Sequence, residues 1–345
     1  MKITTIGVDL AKDVFQLHGV DGRGKRILRK QLKRGQVLEY FAQLGPCLVG
    51  MEACAGSHYW ARELSALGHE VKLMAPQFVK PYVKTNKTDA ADAEAICEAV
   101  SRPNMRFVPV KDVEQQAVLS LHRARAGFVK SRTAQVNQIR GLLGEYGVVL
   151  SRGIRQVRVG VPAILAEEDG RLPGMFRELL ARLYQHLVML DEEVYALETQ
   201  IKVWHGGNED SQRLAKIPGV GVLTATALVA SIGDARSFHN GRQLAAWLGL
   251  VPRQHSSGGK PLLLGISKRG DAYLRTLMIH GARAAERVVE AGRCRTDAWS
   301  VELGRRRPKN VVCVARANKN ARIVWALLAH QRAYDANYQS MAAAA

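Results

Sequence analysis

Four acidic residues stand where a carboxylate has little structural use. Asp9 ends the apolar segment ITTIGVD, and Glu52 ends CLVGME. Asp89 and Asp92 are three residues apart in KTDAADAEAI, which places them one turn apart on one face of a helix. Four carboxylates could hold two Mg²⁺ ions for phosphodiester transfer, because carboxylate oxygens are ligands that Mg²⁺ prefers. Taken singly, each acid also has a structural reading, as a turn residue, a helix cap or a charge that stabilises a helix N-terminus.

The segment HSSGGK, residues 255–260, offers a candidate nucleophile. Glycine neighbours let a serine approach a phosphate closely. A serine hydroxyl is a weak nucleophile until it is activated. The sequence shows no recognisable Ser-His-Asp triad, although His255 is close to both serines. On residue types alone the run favours an ordinary loop.

The elements that must position the acids follow an α/β pattern. Apolar runs predict strands at 3–9, 14–20, 47–52 and 70–74, and residues 25–31 could form a further strand. Helices are expected at 36–44, 58–67 and 88–101, the last of them capped by Thr88. This alternation predicts an α/β domain over residues 1–108.

The middle region, residues 109–206, is expected to be helical. A basic helix over 113–146 carries Arg123, Arg125, Lys130, Arg132 and Arg140 as candidate nucleic-acid contacts. From Phe176 to Trp204, apolar residues alternate steps of four and three, which is typical of a coiled coil. This seam could pair with the basic helix or with a second chain. We expect the second, in a homo-oligomer (dimer or tetramer).

The third region, residues 207–333, begins with KIPGVGVLTATALVASIG. This segment is similar to half of a helix-hairpin-helix, in which backbone N–H groups near Gly219 and Gly221 would bind a phosphate. An ordinary helix connection explains it equally well. Residues 334–345 are expected to form a tail.

Charge is the strongest bulk signal, at +19 overall. Residues 101–160 have a net charge of +8 and residues 253–322 a net charge of +11, which favours nucleic acid as the partner. No apolar run of about 18 residues predicts a membrane span. The N-terminus has no signal-peptide pattern and the five cysteines form no CxxC pair, so we expect a cytoplasmic protein.

The motifs together resemble a known family. GVDLAKDVF, GMEACAGSHYW and KTDAADAEAI are similar to the three motifs of the DEDD-type transposases of bacterial insertion sequences, the insertion-sequence-110 family. PGVG and SSGG…GISKRGDAYLR resemble that family's C-terminal transposase domain. The likeness runs in order from residue 3 to about residue 330.

The resemblance implies a RuvC-like, ribonuclease-H-type N-terminal domain, a coiled-coil middle and a mainly helical C-terminal transposase domain. It implies that Asp9, Glu52, Asp89 and Asp92 bind Mg²⁺ or Mn²⁺. Because family members show Ser-Gly at this place, it favours Ser257 over Ser256 as the nucleophile. The partners implied are donor and target DNA and a structured guide RNA encoded by the element. The remaining candidate phosphate contacts in this domain are Lys260, Lys268, Arg269 and Arg275, which could otherwise form a solvated basic face.

Three other functions compete with the recombinase. A metal-dependent RuvC-like nuclease or Holliday-junction resolvase would use water as the nucleophile and need no serine. An actin-like ATPase also opens with a strand that ends in Asp, but it needs small glycine-rich turns where Leu10, Ala11 and Lys12 stand. An architectural nucleic-acid-binding protein would explain the charge and leave the four acids without a purpose.

Overall fold

The computed structural model describes residues 2–84, 86, 88–167, 172–260, 262–292 and 298–336. The chain divides into two compact units, Met1–Glu114 and Gln115–Ala345. Within the described residues, no helix is long and apolar enough to cross a membrane. The last nine residues of the predicted tail, 337–345, lie outside the described part.

The first unit is built on a six-stranded mixed sheet. Its strands are β1 (Thr5–Asp9), β2 (Val14–Val20), β3 (Arg26–Lys33), β4 (Leu48–Glu52), β5 (Glu70–Met74) and β6 (Phe107–Val108), in the spatial order β3-β2-β1-β4-β5-β6. Strands β1, β4 and β5 are parallel, and β2, β3 and β6 pair antiparallel. The five predicted strands are therefore confirmed, and β6 is a further strand that the sequence did not predict.

Helices cover both faces of this sheet. They are α1 (Val37–Ala42), α2 (Ser57–Ala66), α3 (Pro76–Val79) and α4 (Asp89–Val100). Ile6 and Val8 of β1 belong to a buried cluster with Phe41 of α1 and Trp60 of α2. Because side chains alternate along a strand, the odd-numbered residues of β1 point to the opposite face, where α4 packs.

The second unit begins with three helices, α5 (Val113–Gly144), α6 (Ile154–Ala166) and α7 (Gly174–Gly206). Helices α5 and α7 run antiparallel, since Arg125 pairs with Glu198 while Arg132 pairs with Asp191. The predicted a/d seam lies on α7, and Leu187 is fully buried in one cluster with residues of α5 and α6. The expectation that this seam lies between chains is therefore wrong, because helices of the same chain already bury it.

The rest of the second unit packs around a separate apolar core. Its elements are α8 (Glu209–Leu214), α9 (Val222–Ile232), α10 (Gly241–Trp247), β7 (Pro252–Gln254), β8 (Leu263–Ile266), α11 (Ala272–Glu290), α12 (Ala298–Arg306) and α13 (Lys309–Ala329). Apolar residues of α9, α10, α11 and α13 form the core. Strands β7 and β8 form a two-stranded sheet of their own.

Candidate functional site

Asp9 and Glu52 are brought side by side by the register of two parallel strands. Val8 of β1 pairs with Met51 of β4, so the next residue in each strand is one of the two acids. Both acids are the last residues of their strands and both are half-buried. Parallel neighbours in register point to the same face, so the two carboxylates lie at one edge and on one face of the sheet.

Two glycines let α4 lie directly on that face. Gly7 and Gly50 pair with each other, each two residues before its acid. A Cβ atom on Gly7 would lie 2.2 Å from the carbonyl oxygen of Ala93, and one on Gly50 would lie 2.7 Å from Cβ of Val100. Only residues without a side chain permit this approach of a helix backbone to the sheet.

Asp89 and Asp92 occupy the first turn of α4. The predicted cap is confirmed, because Thr88 Oγ1 accepts a hydrogen bond from the Ala91 N–H at 3.2 Å. Asp89 is exposed and Asp92 is half-buried. Ala93, which contacts Gly7, follows directly, so the acid-bearing turn adjoins the helix segment that lies over β1.

The chemistry of these four residues fits a hard divalent cation, since all of them offer carboxylate oxygens. The negative charges of Glu52 and Asp9, after burial, raise the pKa of the Cys54 thiol, so both acids act on one point beside the sheet edge. Among the described residues, however, no three His, Cys, Asp or Glu side chains are grouped so that they could hold a metal ion. The complete four-residue site stays a prediction.

Ser257 lies at the tip of a β-hairpin and not in an irregular loop. Residues 257–260 form a tight turn in which Lys260 N–H donates to the Ser257 carbonyl oxygen at 3.1 Å. Gly258 and Gly259 have φ angles of 56° and 75°, and positive φ at both central positions is typical of a type I′ hairpin turn. The glycines thus have a conformational role that the sequence did not reveal.

The two candidate serines differ in their hydrogen bonds. Ser256 Oγ accepts from Gln254 Nε2 at 3.0 Å and from the Leu262 N–H at 3.3 Å. Ser257 is exposed, and within the described part its hydroxyl makes no side-chain hydrogen bond. Among the described residues, no imidazole or carboxylate is therefore bonded to Ser257 as a base.

The basic residues around the hairpin have different environments. Lys260, Lys268 and Arg269 are exposed. Arg275 is half-buried, and its Nη1 donates to the carbonyl oxygens of Leu248 at 3.3 Å and Gly270 at 3.4 Å. Arg275 therefore holds the loop backbone before α11, whereas the other three face solvent.

The PGVG segment is held firmly in the second unit. The Val220 N–H donates to the Ile217 carbonyl oxygen at 2.9 Å, and Gly219 has a φ of 89°. A Cβ atom on Gly219 would lie 2.7 Å from the Gly281 carbonyl oxygen in α11. Gly219 thus serves backbone packing, while Gly221 is exposed at the N-cap of α9. Phosphate binding at this turn stays a prediction.

The predicted basic helix uses three of its five basic side chains within the chain. Arg125 Nε donates to Glu198 Oε1 at 2.7 Å, Arg132 Nη1 donates to Asp191 Oδ1 at 3.1 Å, and Arg140 Nε donates to a backbone carbonyl oxygen. These bonds tie α5 to its surroundings. Arg123 and Lys130 are exposed, so they are the stronger candidates for phosphate contacts on this helix.

A buried polar network joins α5, α9 and α11, and sequence reasoning missed it. His122 Nδ1 lies 2.9 Å from Tyr273 Oη, and His122 Nε2 lies 2.9 Å from Thr226 Oγ1. Because Thr226 Oγ1 donates to the Val222 carbonyl oxygen at 2.8 Å, it accepts from His122 Nε2–H. This tautomer leaves Nδ1 to accept from Tyr273, whose pKa is raised by burial. The sequence shows only a single histidine within a basic helix, and this pattern does not predict the network.

Paired carboxylates at a sheet edge suit a divalent cation, and exposed basic side chains in the second unit suit the phosphate backbone of a nucleic acid. Comparison with known proteins identifies the family. A family model described as "Transposase" matches residues 6–148, and one described as "Transposase IS116/IS110/IS902 family" matches residues 211–295.

Curated relatives match along nearly the whole chain. The "Probable family 20 transposase" of Pseudomonas aeruginosa is 56% identical over 97% of this chain and 99% of its own. The "Transposase for insertion sequence element IS1111A" of Coxiella burnetii is 50% identical, over 96% and 91%. The transposase for IS1328 of Yersinia enterocolitica is 44% identical, over 94% and 96%. The chain belongs to the IS116/IS110/IS902 family of insertion-sequence transposases, so it is an enzyme that acts on DNA, as the motifs predicted.

Proposed function

We propose that this transposase cuts and rejoins DNA through attack of Ser257 on a phosphodiester, assisted by Mg²⁺ or Mn²⁺ at Asp9, Glu52, Asp89 and Asp92. The observation that carries the proposal is the in-register pairing of β1 and β4, which puts two carboxylates at one sheet edge. Like charges beside each other destabilise a sheet, and a bound cation would offset the repulsion between these two carboxylates.

The proposed reaction exchanges one phosphate ester bond for another. The Ser257 hydroxyl gives up its proton to solvent and its oxygen forms a bond to phosphorus, while the bond to one deoxyribose oxygen breaks and that oxygen takes up a proton from solvent. The phosphodiester energy is kept in the serine ester, so a DNA hydroxyl can reverse the step and rejoin without ATP. A divalent cation, when bound, would neutralise phosphate charge and favour loss of the serine proton. The carboxylates of Asp9, Glu52, Asp89 and Asp92 would hold that cation.

Exposed basic side chains support the proposed nucleic-acid partners. Arg123 and Lys130 on α5, and Lys260, Lys268 and Arg269 around the hairpin, offer charge to phosphate backbones of donor and target DNA. We propose that a guide RNA encoded by the element is held in the same way, by shape and backbone contacts. The active assembly is proposed to be a homo-oligomer.

The nucleophile is tested by trapping the reaction with denaturant. We expect a protein–DNA adduct that the Ser257→Ala variant does not form and that the Ser256→Ala variant still forms. An adduct lost only in Ser256→Ala would mean that the neighbouring serine attacks. Strand cleavage that persists in both variants without any adduct would favour the alternative, a metal-dependent nuclease or junction resolvase that uses water.

The metal site is tested by isosteric neutralisation of its acids. Asp9→Asn and Glu52→Gln should abolish strand transfer and leave DNA affinity nearly unchanged, because the amides keep shape and lose charge. Glu39→Gln, on an exposed acid of α1, is the matched control. If the first two variants keep wild-type strand transfer in Mg²⁺, the acids have no part in the reaction.

A further inference from the structure

Three consecutive leucines on the hairpin are exposed to solvent. Leu262, Leu263 and Leu264 keep 53%, 64% and 43% of their surface accessible. Leu263 pairs with Gln254 across the hairpin, and neighbouring residues in a strand point to opposite faces. Apolar side chains therefore project from both faces of this two-stranded ribbon.

The fold gives these leucines no partner in the core of the second unit. None of the three belongs to the apolar clusters found among the described residues. Exposed apolar patches of this kind mark interaction sites, and a two-stranded hairpin alone is only marginally stable in water. A ribbon that is apolar on both faces fits between two surfaces better than flat on one.

The positive charge of the residues near the ribbon favours an anionic partner. Between Asp234 and Asp271 the chain has six Lys or Arg residues and no acid. Arg253 on β7, Lys260 at the turn and Lys268 beyond β8 are all exposed. An apolar ribbon flanked along the chain by exposed basic side chains is complementary to nucleic acid, whose base stack is apolar and whose backbone is anionic.

We propose that the hairpin enters a groove of duplex DNA and inserts its leucines at a base step, which unstacks the base pairs there. The inference rests on the proposed function, because the step concerned is the one beside the phosphate that Ser257 attacks. Leucine wedges unstack base steps in other DNA-bending proteins. Ser257 and Leu262 are only five residues apart in the hairpin, so a wedge here would open the stack next to the serine.

The test uses a short mixed-sequence duplex that carries 2-aminopurine at a central TA step, whose fluorescence rises when the base unstacks. With saturating full-length protein, confirmed by the anisotropy of an end label, we expect a severalfold rise. Leu263→Ser and the double variant Leu262→Ser, Leu264→Ser should lose most of this rise and bind about tenfold more weakly. Val203→Ser, at a residue 72% exposed on α7, is the matched control and should behave as wild type.

A charge variant separates the wedge from the backbone contacts. Lys260→Gln should reduce the slope of log K against log salt concentration by about 1 and keep the fluorescence rise at saturation. Leucine variants with an undiminished rise would overturn the proposal. So would a lower mass of the free leucine variants in light scattering, because the leucines would then join two copies of the chain.

Failure of the wedge can be told apart from failure of the proposed chemistry. A leucine-dependent fluorescence rise without any Ser257 adduct would support the wedge and reject the serine mechanism. An adduct formed equally well by the leucine variants, together with an unchanged fluorescence rise, would reject the wedge alone.

Discussion

Acid should destabilise the second unit through His122, whose side chain is almost fully buried. Burial, followed by the charge of Arg125, lowers the pKa of this imidazole from 6.5 to about 4. The fold therefore favours the neutral form. The stabilisation that the fold gains from neutral His122 is fully present above pH 6.5 and is lost as the pH falls towards 4. A pKa difference of this size corresponds to about 3 kcal/mol.

The matched variant is His122→Gln, which keeps an N–H donor for Thr226 and does not titrate. Urea unfolding should be followed by tryptophan emission, since four of the five tryptophans lie in the second unit. Between about pH 7.5 and about pH 4.5, the free energy of unfolding of the wild type should fall by about 2.5 kcal/mol more than that of the variant. Carboxylates titrate in both proteins and cancel in this comparison. Parallel pH profiles would refute the reasoning.

Three further predictions concern packing and charge. Gly7→Ala should lower the free energy of unfolding of the first unit by about 3 kcal/mol, because the new methyl group meets the backbone of α4. Gly35→Ala, where a methyl group meets nothing, should change it by less than about 0.5 kcal/mol, and equal effects in urea titrations would contradict the close approach. Leu187→Asp should unfold the second unit, at a cost of about 4 kcal/mol, and reduce helicity in circular dichroism; a folded protein of smaller mass would instead mean that the seam joins chains. A double-mutant cycle of Arg125→Gln and Glu198→Gln should give a coupling of about 1 kcal/mol in urea unfolding, since the pair is partly exposed, and no coupling would mean that the ion pair is immaterial.

Strands β1, β2 and β4 were predictable because each is a short, mainly apolar run, whereas β6 is only two residues long and was not predicted. The start of α4 was predictable for a local reason too, since Thr88 accepts the bond expected of a cap. The order and the register of the strands were not predictable, because strand pairing joins residues that are far apart in sequence. The repeated pattern Gly-apolar-acid in IGVD and VGME did hold a usable signal: both glycines face α4 and both acids end their strands.

The second unit shows where sequence periodicity stops being informative. The seam on α7 was correctly identified as a helix with one apolar face, but the pattern does not say which helix covers it. The same limit applies to the charged residues Arg125 and Arg132, which pair with carboxylates of α7. The sequence alone does not distinguish an arginine that binds a phosphate from one that pairs with a carboxylate of its own chain. The hairpin at Ser257 was missed for another reason, since its strands are only three and four residues long.

The paired glycines beneath α4 affect which inactivating mutations should accumulate in copies of this gene. On the proposed mechanism, Asp9→Asn keeps the shape of the side chain and should give a folded, inactive protein. A larger residue at Gly7 should push α4 off the sheet and destabilise the fold. The unfolded protein should then be degraded by proteases in the cell. Among inactive copies that still produce soluble protein, losses at the acids should therefore outnumber losses at the glycines. Such folded, inactive chains would keep their basic surfaces and compete with active copies for the same DNA.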